Sequence, residues 1–320
     1  MCLGDFGSAF PKYFLRVFVM GAGSDLADSN EMVVGPNFMD SRLAYDYLES
    51  SADVSKNLIG SEHSKDGINF LIPKNLKAEA IKNTKPEMSE LAYTDGKTYF
   101  PILMYHHIAP NPHNNSYYVS PEIFDQQMAW IRDNNYNVIS YEDLYLALAG
   151  EGTLPTNPTV ITFDDGDRDQ YTYAFPILQK YGYTATFFII INHIGDGSYM
   201  TWDMIKELRD AGMTIGSHSV YHDDMAKMGG RQLKYELQES KKILEDELGI
   251  PINFFCYPGG AFSSAAVEKV KEAGYVSAVT TVHRVFHEIA DPYDLFVLAR
   301  FHVDDDMPSF VDWIQGVNLY

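Results

Sequence analysis

Cysteine is nearly absent from this sequence: Cys2 and Cys256 are the two in 320 residues. One possible bridge cannot staple a chain of this size, so a disulfide framework is excluded and a hydrophobic core must carry the fold. Basic charge is scarce too. Lys and Arg total 24 against 44 Asp and Glu, a formal net charge of -20. That balance argues against binding the phosphate backbone of nucleic acid and against docking on anionic membranes. The acidic excess serves solubility, or suits a cationic ligand or product. No apolar run approaches the roughly 18 residues of a membrane-spanning helix. Internal repeats and low-complexity tracts are also missing.

The chain is 46% hydrophobic and 21% charged, as a globular core requires. Lys12 and Arg16 precede a short apolar run and the small residues Gly21-Ala22-Gly23-Ser24. This pattern reads as a weak or clipped secretory signal over 1–24, or as an ordinary apolar segment. Residues 24–97 are rich in Ser, Asp, Asn, Lys and Glu with little apolar periodicity. Residues 1–97 are therefore expected to be an extension or linker, with a short helix near 43–48, and 98–320 the functional domain.

From Phe100 onward, short apolar runs alternate with helical patterns. Strands are expected over 101–105, 137–140, 159–163, 184–191, 213–217, 252–257, 275–280 and 296–299. Ser120-Pro121 should open a helix, with Ser120 capping it and Phe124, Met128 and Ile131 on one face. Ser140 and Asp143 should start another, and Pro176 should kink a helix over 170–180. The clearest helix, 231–248, carries Leu233, Leu237, Ser240, Leu244 and Leu248 on one stripe and stops at Gly249. Alternating strands and helices imply an α/β fold. The best fit is a distorted or incomplete (β/α) barrel of about seven to eight parallel strands, with chemistry at the C-terminal strand ends.

Polar residues cluster at those ends. Asp164-Asp165-Gly166 follows the run Val160–Phe163 directly. Adjacent carboxylates there could hold a metal and act as a base, or form an ordinary turn. His218 and His222 lie four apart after a second strand. If the chain turns helical here, their imidazoles share a face, and with one Asp they form a three-ligand set that leaves a position open for water. A third strand ends in Tyr257-Pro258-Gly259-Gly260, where free backbone N–H groups could hold an oxyanion.

Together these motifs resemble the polysaccharide deacetylases of carbohydrate esterase family 4, the NodB-homology domain. The likeness covers about 100–316 and is carried by Thr162-Phe-Asp-Asp-Gly166, by His218-Ser-Val-Tyr-His222 and by Tyr257-Pro258-Gly259, in that order. The last form is similar to the members that act on exopolysaccharide. The resemblance implies that Asp164 is the general base and that Asp165, His218 and His222 hold a divalent metal, usually Zn2+. Gly259 would supply the oxyanion N–H, and His302, in Leu298-Ala-Arg-Phe-His302, would be the general acid. Tyr257, Pro258, His106 and Trp202 are expected substrate contacts, and Tyr117 and Tyr118 could line a glycan groove. The implied reaction releases acetate from an N-acetylated, cell-envelope or secreted polysaccharide, which favours an extracellular location. An O-acetyl esterase or an inactive glycan binder in the same fold are the alternatives. Two departures stand out. Cys256 occupies the position of an Arg that orients the base in many members, with Arg168 as a candidate substitute. Asp167 occupies a position that is often aromatic.

Overall fold

The computed structural model describes residues 98–316, apart from 112–114 and 288–291, together with an antiparallel pairing of Arg16–Val17 with Met32–Val33. The rest of the candidate signal segment and the expected helix near 43–48 lie outside the described residues. The chain divides into two units, Met1–Thr84 and Lys85–Tyr320. Among the described residues no helix is long and apolar enough to cross a membrane.

In the second unit the strands of the main sheet are β1 (Ile102–Tyr105), β2 (Asn137–Val138), β3 (Pro158–Phe163), β4 (Thr186–Ile189), β5 (Thr214–Ser217), β6 (Phe254–Cys256), β7 (Ser277–His283) and β8 (Leu298–His302). Seven of them pair in parallel in the order β1-β8-β7-β6-β5-β4-β3, and β3 pairs back to β1, closing a barrel. The short β2 adds to the outer side of β3. Seven helices accompany the strands: α1 (Pro121–Asp133), α2 (Tyr141–Leu148), α3 (Phe175–Tyr181), α4 (Trp202–Asp210), α5 (Gly230–Leu248), α6 (Ser264–Glu272) and α7 (Met307–Ile314). The expected parallel (β/α) barrel is present.

Strand alternation sorts the core into two shells. Leu103, Tyr105, Ile161, Phe163, Phe187, Phe255 and Phe301 pack with Phe124, Leu178, Leu208 and Leu237 of the surrounding helices. Their strand neighbours Ile102, Val160, Phe188, Phe254 and Leu298 form the inner cluster, which Tyr141 and Leu144 of α2 join. Gly216 is required by this filling: a Cβ there would lie 2.5 Å from the Phe188 ring.

Local chemistry explains the helix ends. Ser140 and Asp143 form the reciprocal capping box expected for α2. Ser120 makes no cap bond; its Oγ donates instead to Asp305 Oδ1 at 2.7 Å, tying the start of α1 to the loop after β8. Gln170–Ala174 forms a π-turn before α3, in which the Phe175 N–H reaches Gln170 O. The backbone stays helical through Gln170–Ala174 into α3, so the expected helix over 170–180 is present and Pro176 lies within it, where the π-turn accommodates the N–H that proline lacks. The last expected strand, 296–299, is shifted: Asp294–Phe296 is a 3-10 turn and pairing begins at Leu298.

Candidate active site

A cavity of about 470 Å³ opens at the C-terminal ends of the strands, lined by Asp164, Asp165, His218, His222, Gly259 and His302, with His106, His107, Tyr117 and His283 around them. Asp164 and Asp165 follow β3, His218 and His222 follow β5, and His302 ends β8. The barrel therefore gathers residues that the sequence spreads across more than a hundred positions.

Asp165, His218 and His222 each present a ligand atom within 4.8 Å of the other two. Asp165 Oδ1 lies 3.4 Å from His218 Nε2 and 3.5 Å from His222 Nε2. The Nδ1 of His218 is 2.8 Å from the Cys256 carbonyl. A carbonyl only accepts, so Nδ1 carries a proton and Nε2 is the ring atom that a metal would take. Two imidazoles and one carboxylate with an open side fit a divalent metal such as zinc. A second donor group, Asp164, His218 and Cys256, also falls within 4.8 Å. Its atoms are engaged within the protein: each Asp164 oxygen accepts one bond from Arg300, and the His218 Nδ1 donates to the Cys256 carbonyl.

The histidines do not meet on a helix. After β5 the chain forms a loop in which Ser219 (φ 67°) and His222 (φ 60°) take left-handed conformations, and Asp165 (φ 74°) does the same after β3. These are costly for residues other than glycine and must be held by surrounding bonds. Ser219 Oγ accepts the His222 N–H at 3.0 Å, and Ser217 Oγ accepts the Ser219 N–H at 3.3 Å. The rings end 4.7 Å apart at 74°.

Asp164 is 1% exposed, and its two oxygens accept from Arg300 Nη1 at 2.7 Å and Nη2 at 2.6 Å. Arg300 is itself fully buried. It also donates through Nε to Thr280 O at 2.9 Å and through Nη1 to Thr162 Oγ1 at 3.0 Å. Burial alone would raise the Asp164 pKa, but the paired guanidinium outweighs it and holds the carboxyl far below the usual range. Asp164 is therefore ionised at neutral pH and fixed in orientation. Sequence reasoning missed Arg300 and offered Arg168, whose Nε donates to Tyr199 O at 3.2 Å away from Asp164. The available signal was parity: in Leu298-Ala-Arg-Phe-His302, residues 300 and 302 share the inner side of β8.

His302 lines the cavity, and its Nε2 is buried without a hydrogen-bond partner among the described residues. His106 Nε2 stands 3.9 Å from Asp164 Oδ2, and burial lowers its pKa to about 4, so this imidazole is neutral at pH 7. Tyr117 is half exposed, with its ring 4.8 Å from His106 and 5.3 Å from His302. Tyr118 instead stacks on His107, 4.2 Å away. His107 Nδ1 also pairs with Asp169 at 2.8 Å and faces Asp167 at 3.5 Å. Burial raises the Asp167 pKa to about 7. Gln170 Nε2 braces both strand ends by donating to the carbonyls of His106 (2.9 Å) and Asp164 (2.5 Å).

Three expected substrate contacts lie elsewhere. Tyr257 is fully buried in the outer shell, its ring 5.4 Å from Phe255 and 5.3 Å from Phe262. It continues the outward parity of Phe255 and so turns from the cavity. Pro258 is buried and absent from the lining, whereas Gly259 (φ 58°) reaches it. Trp202 opens α4 and packs against the outer shell.

Residues 151–278 match the polysaccharide deacetylase family model. The Bacillus subtilis protein named "Putative polysaccharide deacetylase YxkH" is 31% identical over 64% of this chain and 72% of its own length. The poly-beta-1,6-N-acetyl-D-glucosamine N-deacetylase of Staphylococcus aureus is 27% identical over 50% of this chain; the match spans 59% of that enzyme. Among solved structures, the Streptococcus pyogenes deacetylase PplD, in complex with acetate, aligns with a TM-score of 0.63 and 29% identity, covering 67% of this chain and 96% of PplD.

Proposed function

This chain belongs to the polysaccharide deacetylases, hydrolases that act on the amide bonds of polysaccharide, and from that premise we propose that it removes N-acetyl groups from an N-acetylglucosamine polymer of the cell envelope or its surroundings. The observation that carries this reading is one cavity holding an Arg-paired carboxylate, Asp164, beside the Asp165, His218 and His222 donor set. The staphylococcal relative makes a β-1,6-linked N-acetylglucosamine polymer the first substrate to test.

When bound by Asp165, His218 and His222, a divalent metal such as zinc supplies Lewis acidity at the acetamide carbonyl. Asp164 accepts a proton from the attacking water while Arg300 keeps its carboxylate ionised and aimed. The Gly259 N–H meets the negative charge that develops on the carbonyl oxygen. His302 delivers a proton to the sugar nitrogen as the carbon–nitrogen bond breaks, leaving acetate and a free amine. The exposed Tyr117 ring offers a flat face to the pyranose at the cavity mouth.

The test is acetate release from N-acetylglucosamine oligomers by four samples: wild type, chelator-stripped, zinc-restored and Asp164→Asn. Release that needs metal and falls at least about a hundredfold in Asp164→Asn supports the proposal. Release from O-acetylated xylan alone, or from neither substrate, overturns it.

A further inference from the structure

Helix α5 brings a buried carboxylate to the histidine loop that the chemistry above leaves unused. Glu236 is 1% exposed, and its Oε2 accepts the backbone N–H of Val220 at 2.8 Å and of Tyr221 at 3.0 Å. Both residues lie between His218 and His222. Among the described residues no Lys or Arg forms an ion pair with Glu236, so the two peptide dipoles are what its charge meets. One turn further along α5, Ser240 Oγ bonds Ser217 Oγ at 2.9 Å and Glu236 O at 2.6 Å. The inner stripe of α5 thus grips the loop on both sides of His218.

The loop needs this grip. Its two left-handed residues, Ser219 and His222, flank the segment that Glu236 holds. Without the carboxylate, the Val220 and Tyr221 N–H groups would be left without their partner, one of them in the core. The chain would regain those bonds by relaxing toward ordinary φ values, which swings His222 away from His218. We propose that Glu236 is a positioning residue of the metal centre: it fixes the His218–His222 spacing before any metal arrives and adds a buried negative charge that favours a cation. This rests on the reading of Asp165, His218 and His222 as the metal ligands.

The experiment compares wild type, Glu236→Gln and Glu236→Ala in three readouts. These are hydrogen exchange of the metal-free protein, zinc affinity by competition with a chromophoric chelator, and the visible spectrum of the cobalt-loaded protein. In Glu236→Ala, faster exchange confined to 219–222, zinc binding weakened by about 10–100-fold and a shifted cobalt band are expected. Glu236→Gln keeps one acceptor and loses the charge, so its loss of affinity should be smaller but above twofold. Activity at saturating zinc should show a lower kcat with KM for the oligomer unchanged. If Glu236→Ala does not fold, Glu236→Gln decides: affinity and cobalt spectrum equal to wild type overturn the proposal. Equal affinity in a folded Glu236→Ala overturns it as well, with the metal centre left standing. A wild type that binds neither zinc nor cobalt overturns the metal centre and this proposal together.

Discussion

Along the same strands, the two ends of the barrel interior carry opposite chemistry. At the lower end stand Ile102, Val160, Phe188, Phe254 and Leu298, all at most 2% exposed. One inward step along, the residues are Met104, Thr162, Cys256 and Arg300, and the next step reaches Asp164 and His302. The lower layer is a dry plug. It keeps water from reaching the Asp164–Arg300 pair from below, so that pair sits in a medium where charge interactions are strong. Arg300 joins the layers, its Cζ 5.7 Å from the Phe188 ring centroid while its donors reach Asp164. The apolar end sets the dielectric in which the polar end works.

The sharpest test separates the two ends. Arg300→Met strands a buried carboxylate and should cost about 3–5 kcal/mol of stability with near-complete loss of deacetylation. Adding Asp164→Asn to it should recover much of the stability and none of the activity, as read by chemical denaturation and acetate release. Phe254→Ala should cost a similar 3–5 kcal/mol through a cavity, yet leave kcat of the folded fraction within a few fold. If Phe254→Ala abolished catalysis in fully folded protein, the division of labour between the layers would be wrong.

A smaller effect concerns pH. His287 is buried, stacked on Phe100 at 4.0 Å, with Nε2 donating to Ala299 O at 2.9 Å. Burial lowers its pKa from 6.5 to about 4. The fold keeps it neutral while the unfolded chain protonates it, so the unfolded state binds more protons between pH 6.5 and about 4. Stability should fall as pH drops through that window, by up to about 3 kcal/mol from this group. Unfolding of His287→Phe should show a shallower slope over the same range, whatever its absolute stability; an unchanged slope would show that other groups set it.

The smallest effect is expected at Tyr257, whose buried hydroxyl has no hydrogen-bond partner among the described residues. Tyr257→Phe should leave kcat/KM within about twofold and stability unchanged or slightly higher, because an unpaired polar group is removed. A tenfold rise in KM would place the ring against substrate after all.

Much of this organisation was legible in the chain. Short apolar runs ending in Asp164-Asp165 and in Ser217-His218 identify strand ends, and period two predicts which neighbours share a face. The same rule, applied further, would have turned Tyr257 outward with Phe255 and picked out Arg300 beside His302. The helical turn on which a shared face for His218 and His222 was conditional does not form, and for a different reason. Four-residue spacing suits one helical turn, but two left-handed residues and the Glu236 anchor close the loop in another way.

The sequence by itself determined the strand–helix alternation, the two acid and histidine motifs and their family, because these depend on local periodicity and residue type. Which cation steadies Asp164, and which acid holds the histidine loop, only the tertiary structure decided. Arg300 and Asp164 are 136 residues apart in the chain. They meet because barrel closure brings β8 and β3 to either side of β1, and no pattern along one strand encodes that neighbour.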